Sequence, residues 1–158
     1  MGMIGHFIAY DETTLEQLIT AQIQLESLQP WEHVEVDIDK TWHAIHFTLT
    51  NCLGNGAAPL GYVVPLLNHQ QLPLESYGAF YVTSAQTKEI AVTLQSFNDI
   101  QLREHYNMSA LVNNNIYPLF AEEDAEDFFA YMVEHFMALR TFIIQTAQQQ
   151  KGYVFYVC

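Results

Sequence analysis

Five carboxylates, Glu122, Glu123, Asp124, Glu126 and Asp127, open a segment whose apolar residues then recur at helical spacing as far as Gln150. Carboxylates in a first turn interact well with the positive end of the helix dipole. The acidic run therefore reads as a helix start and not as a cation loop, since it lacks the ligand spacing of an EF-hand. The helix predicted from here to about Gln150 is roughly 40 Å long at ~1.5 Å per residue. Ala125, Phe128, Phe129, Met132, Phe136, Leu139 and Ile143 centre its buried arc, while Asp127, Glu134, Thr141 and Gln148, seven apart, form its only clean polar line. A helix this apolar has to be covered, either by the rest of its own chain or by a second copy. It is expected to be central, or to form the interface of a homodimer. Arg140 falls within the apolar arc, where an isolated charge is very costly. The expected partner is Asp37 or Asp39.

The elements available to cover that helix are short and of both kinds. Met3 to Tyr10 reads as a strand. Asp11 then caps a helix predicted over residues 12–28, with Leu15, Leu18, Ile19 and Leu25 inward and Pro30 beyond its end. From Asp37 to Thr50, Ile38, Trp42, Ile45 and Leu49 make an apolar helical stripe, and Asp39, His43, His46 and Thr50 make a polar stripe along its flank. Phe47 lies opposite, so this helix is expected to be covered on more than one face. Residues 51–77 carry Gly54, Gly56, Pro59, Gly61, Pro65 and Pro73 and read as a long irregular connection with one short helical turn.

Tyr77 to Thr83 predicts a second strand. Ser84 caps a helix with Ile90, Ala91, Leu94 and Phe97 inward, and Asp99 caps a shorter one with Leu102 and Tyr106 inward. Asn113 to Asn115 is a loop, closed by Pro118. After Gly152, Tyr153 to Cys158 reads as a closing strand. No repeat or linker interrupts the 158 residues, half of which are apolar. The fold class predicted is one α+β domain over residues 1–158: a small mixed or mostly antiparallel sheet packed with helices, with a long C-terminal helix.

Charge narrows the partners. Eighteen Asp and Glu stand against five Lys and Arg, a net charge of −13 with neutral His. Such a surface repels phosphate backbones and anionic lipid, so no nucleic acid and no membrane partner is expected. It suits a basic protein, or serves solubility alone. No apolar run approaches the ~20 residues that span a bilayer, and the N-terminus lacks the basic region of a signal peptide. Cys52 and Cys158 sit in no motif, which fits a reducing cytoplasm.

Two constellations carry chemistry. Asp39, His43 and His46, at helical spacing, are candidate metal ligands, since two imidazoles and a carboxylate suit zinc. Alternatively His46, beside Asp39, Trp42 and Thr50, forms a binding pocket completed by Tyr77 and Tyr81, in which a His next to a carboxylate acts as a base. The bland reading is a half-buried polar flank. There is no nucleophile elbow, no phosphate-binding loop and no dinucleotide fingerprint. No catalytic residue is assigned and no cofactor is predicted.

The opening MGMIG, the helix DIDKTWHAIHFTLT (37–50), the strand SYGAFYVT (76–83), the IYP of 116–118 and the apolar closing strand follow one another in an order that resembles the YfbM-like family of small bacterial proteins, a domain of unknown function. The resemblance spans essentially the whole chain, and Asp39-Lys40-x-Trp42-x-x-Ile45-His46 is its most specific part. It implies an α+β fold and a bacterial cytoplasmic setting, and no reaction. Asn51 stands where members commonly have Gly. Ala79 and Phe80 stand where they commonly have Pro and Arg, so an anion site built on that Arg is not expected. The function expected is a non-enzymatic cytoplasmic binding or interaction protein whose acidic surface meets a basic protein. The alternative is a small-molecule binder or enzyme using Asp39, Trp42 and His46.

Overall fold

A strand apolar on both faces has to lie between two layers. The closing strand is of this kind. In a computed structural model describing residues 2–75 and 77–158, the strands are β1 (Gly5–Tyr10), β2 (Val36–Asp37), β3 (Gln71–Leu72), β4 (Ala79–Val82) and β5 (Gly152–Val157). They form one sheet in the order β2-β1-β5-β4-β3, and every pairing is antiparallel. β5 is central and buried along its whole length. Tyr153, Phe155 and Val157 join Phe7 and Val82 in the larger core on one face, and Val154 and Tyr156 join Ile8 and Ala79 on the other. The α+β architecture is as predicted, with the antiparallel arrangement of the two offered. Met1 and Ser76, which belong to the quoted segments, lie outside the described residues.

The helices are α1 (Glu12–Ile19), α2 (Trp42–Thr50), α3 (Ser84–Gln95), α4 (Asp99–His105), α5 (Met108–Asn113) and α6 (Ala125–Gln148). α6 is the predicted long helix, capped by Asp124, whose side chain accepts from the backbone N–H groups of Glu126 and Asp127. Its buried residues are Phe128, Met132, Phe136, Leu139, Phe142, Ile143 and Thr146, while Asp127, Glu134, Thr141 and Gln148 are exposed. Phe142 meets the rings of Phe7 and Tyr153 edge-on. Phe129 is only half-buried, beneath the Arg103 guanidinium. No large apolar residue of α6 is exposed. Most of the apolar arc packs against the chain's own sheet and helices.

Arg140 overturns its expected pairing. Its Nε donates to the carbonyls of Leu94 (2.7 Å) and Phe97 (2.9 Å), and its Nη2 donates to that of Gln95 (3.1 Å). The partner is thus the negative end of α3 rather than Asp37 or Asp39, because the last carbonyls of a helix have no partners of their own. Exchanging Arg140 for Met is expected to cost about 2 kcal/mol, the worth of charge-assisted hydrogen bonds shared among three acceptors. Urea unfolding checks this, and unchanged stability would refute the clamp.

Several boundaries moved for local reasons. The helix expected over 12–28 stops at Ile19, because Ala21 turns left-handed (φ 57°). The N–H groups of Ala21 and Gln22 return to the carbonyls of Leu18 and Gln17, a Schellman stop without the usual glycine. Leu25 is still buried, on a 3₁₀ turn (Leu25–Leu28). The helix expected from Asp37 begins at Trp42, because Val36 and Asp37 pair with Phe7 and His6 of β1. Thr83 and Asn98 are the caps in place of Ser84 and Asp99, each in a capping box. α5, capped by Asn107, was not predicted.

Candidate functional site

α2 is enclosed from Ala44 to Leu49, as Phe47 suggested. His46 is 1% exposed, and its Nδ1 donates to the Val64 carbonyl at 2.8 Å. A carbonyl only accepts, so the neutral ring carries its proton on Nδ1. Nε2 is then a buried lone pair with no hydrogen-bond partner among the described residues. The connection after α2 closes over this ring. A carbon added at Gly56 would run into the Thr50 side chain and sit 3.1 Å from His46 Cε1. One added at Gly61 would run into the Gly56 carbonyl. The glycines that looked like loop punctuation are the places where backbone lies directly on α2 and on itself.

Burial pushes the His46 imidazole down to about 4. The hydrogen bond to Val64 opposes this and nearby His43 adds to it. A weakly basic ring sealed from solvent is poorly suited to take a proton from a substrate. His43 is half-buried and stacks on Trp42, with ring centroids 5.1 Å apart and planes at 15°. Its imidazole is also lowered, chiefly by burial.

Trp42 Nε1 donates to the Met3 carbonyl (3.0 Å), and the Met3 N–H donates to Tyr117 Oη (2.9 Å). The Trp42 and Tyr117 rings lie 6.1 Å apart. The two aromatics therefore grip the backbone just ahead of β1. Asp39 precedes α2 in a left-handed conformation (φ 46°), which takes it off the helical stripe. Its Oδ2 accepts from Tyr131 Oη of α6 at 2.6 Å. Burial, then this bond, raises the Tyr131 hydroxyl.

The predicted site residues therefore do not converge. Asp39 faces Tyr131 and His46 faces Val64. Among the described residues, no three His, Cys, Asp or Glu are grouped to hold a metal. Tyr81 packs with the smaller core, on the face of the sheet opposite Trp42, because neighbouring strand residues alternate faces. Tyr77 is 65% exposed ahead of β4.

A groove that sequence reasoning missed runs between α4 and the start of α6. Its volume is about 410 Å³, and it is lined by Asp99, Ile100, Arg103, Glu104, Glu126 and Phe129. Arg103 Nη2 donates to both Glu126 oxygens at 2.6 Å, and its guanidinium lies 4.5 Å from the Phe129 ring centroid. The acidic residues were legible, but their meeting across two helices was not. Among the described residues no helix is long and apolar enough to cross a membrane.

Together these features define an α+β protein in which an antiparallel sheet carries a two-sided core, one side roofed by a long helix. The chain belongs to the family described as Domain of unknown function (DUF1877), which matches residues 1–156. Its fold is similar to the crystal structure of YfbM from Escherichia coli, a protein of unknown function. The TM-score is 0.73 and the identity 22%, over 99% of this chain and 100% of that one. No curated protein matches the chain.

Proposed function

We propose that this is a non-enzymatic binding protein of the bacterial cytoplasm that meets a basic protein through the groove between α4 and α6. The groove itself carries the reading. Asp99, Glu104 and Glu126 line it, and the exposed Glu122, Glu123, Asp124 and Asp127 adjoin it along the chain. Its one cation, Arg103, is already paired with Glu126. Arg140 is committed to α3. Ile100, 61% exposed, offers an apolar anchor amid this charge. Potential of one sign steers an oppositely charged partner, and a central apolar contact holds it. An enzyme has less support, because its best base, His46, is sealed.

The test is affinity capture from the host at low and high salt, followed by titration calorimetry with the purified partner. A basic protein is expected that is lost at high salt. The paired substitutions Glu104→Lys and Glu123→Lys should weaken it by about tenfold or more. A partner held equally by the doubly substituted protein, or the absence of a basic partner at both salt levels, would sink the proposal.

A further inference from the structure

Lys40 is a cation without an opposite number in a strongly acidic chain. Arg103 is bridged to Glu126 and Arg140 clamps α3, whereas Lys40, like Lys88 and Lys151, makes no ion pair among the described residues. Its neighbour Asp39 is held by Tyr131 instead. Lys40 lines a cavity of about 580 Å³ together with Asn115, Tyr117, Pro118, Leu119 and Phe120. That volume is within the range of small-molecule sites, roughly 300–1,000 Å³.

Two details give the cavity the character of a built site. Gly2 makes room for the Lys40 side chain: a carbon added there would run into Lys40 Cε and lie 3.2 Å from Nζ. Tyr117 is fixed by its bond from the Met3 N–H and by the Trp42 ring, so the aromatic wall is ordered before anything binds. At the rim, Phe120 is 72% exposed. A large aromatic face left in water gains by covering an apolar group.

We propose that this cavity binds a small monocarboxylate with an aromatic or branched apolar body. The carboxylate meets the Lys40 ammonium, and the body lies against Tyr117, Pro118 and Phe120. A single ammonium offsets a single negative charge. In a protein of net charge −13, a dianion such as phosphate meets an uncompensated repulsion. The site is separate from the groove between α4 and α6, so either reading can fail without the other.

Benzoate is the probe, with neutral benzamide and inorganic phosphate as controls. Trp42 reports by fluorescence in a Trp31→Phe background, since Trp31 is the only other tryptophan and is 56% exposed. Amide NMR shifts over residues 115–120 report in parallel. Saturable benzoate binding is expected, with benzamide weaker by about tenfold, the worth of one hydrogen bond to a charged group. Lys40→Met should weaken benzoate about equally. Gly2→Ala should do the same at an unchanged melting temperature, because it displaces only the far end of a flexible side chain. Absence of saturation, benzamide binding as well as benzoate, or wild-type binding by both variants would overturn the site. Phosphate competing as well as benzoate would overturn the ligand class.

Discussion

Between pH 7 and pH 4 the folded protein should lose about 3 kcal/mol of stability through His46 alone. The imidazole sits at about 4 in the fold, against an ordinary value of 6.5, chiefly because burial penalises its charged form. The unfolded chain therefore takes up a proton first as the pH falls. Stability from this residue is whole above 6.5, declines below it, and stops declining near 4, where the folded ring also protonates. The gap, at ~1.4 kcal/mol per pH unit, makes about 3 kcal/mol. Structure gives the same sign. A second proton would sit on Nε2, which is buried and has no acceptor among the described residues. Urea unfolding of wild type and His46→Leu across this range measures the effect. Carboxylates and the lowered His6 are common to both chains and cancel in the difference, and His43, which acts on His46, is followed by its own imidazole proton shifts in both. The stability difference between the two should shrink towards acid. Parallel curves would show that His46 is hydrated in the fold.

The same residue shows how far the sequence could be read. Helical spacing placed His46 on a flank and Phe47 opposite, and from that pattern α2 was rightly expected to be covered on more than one face. Spacing cannot say what does the covering. The cover is the irregular connection after α2, whose backbone carbonyl at Val64 accepts the hydrogen bond of the imidazole N–H. Asp39 failed for a related reason. Its spacing fits the stripe, but its left-handed backbone puts it outside the helix, and an αL position occupied by Asp leaves little sequence signal. α6 was legible to within about three residues at its start, where Glu122 and Glu123 precede the Asp124 cap, and about two at its end, because 24 residues of consistent period outweigh local exceptions. Arg140 was recognised as needing a partner, and a carboxylate was the natural guess. The three carbonyls that it found, of Leu94 and Gln95 at the end of α3 and of Phe97 just beyond it, are backbone groups, present in every sequence and marked by none. The acidic groove and the Lys40 cavity each join segments distant along the chain, and pairing of that kind comes from topology rather than period.

Replacing Gly61 with Ala should cost about 3 kcal/mol or more, near the upper end for overpacking, although it adds one carbon. That carbon would run into the carbonyl of Gly56, with the Gly56 carbonyl carbon and Cα close behind, so every obstacle is backbone. Gly61 cannot retreat either, since its N–H is bonded to the Ala57 carbonyl at 2.8 Å and the residue is buried. None of Gly54, Gly56 and Gly61 has a positive φ, so the cost is one of space and not of backbone conformation. Gly54 supplies the internal control. A carbon there meets the Leu66 carbonyl at 3.5 Å, an ordinary contact, and Gly54→Ala should change stability by no more than about 0.5 kcal/mol. The larger consequence runs through Gly56. Anything that lifts it away from α2 uncovers Thr50 and the His46 Cε1 edge and admits water beside Nε2. In Gly61→Ala the imidazole should then titrate closer to its ordinary value, and the acid loss of stability should shrink with it. Imidazole proton shifts followed against pH in wild type, Gly54→Ala and Gly61→Ala read this directly. If Gly61→Ala is destabilised while His46 still titrates near 4, the strain is absorbed within residues 57–61. If its titration moves up, the glycine contact is what keeps the ring dry.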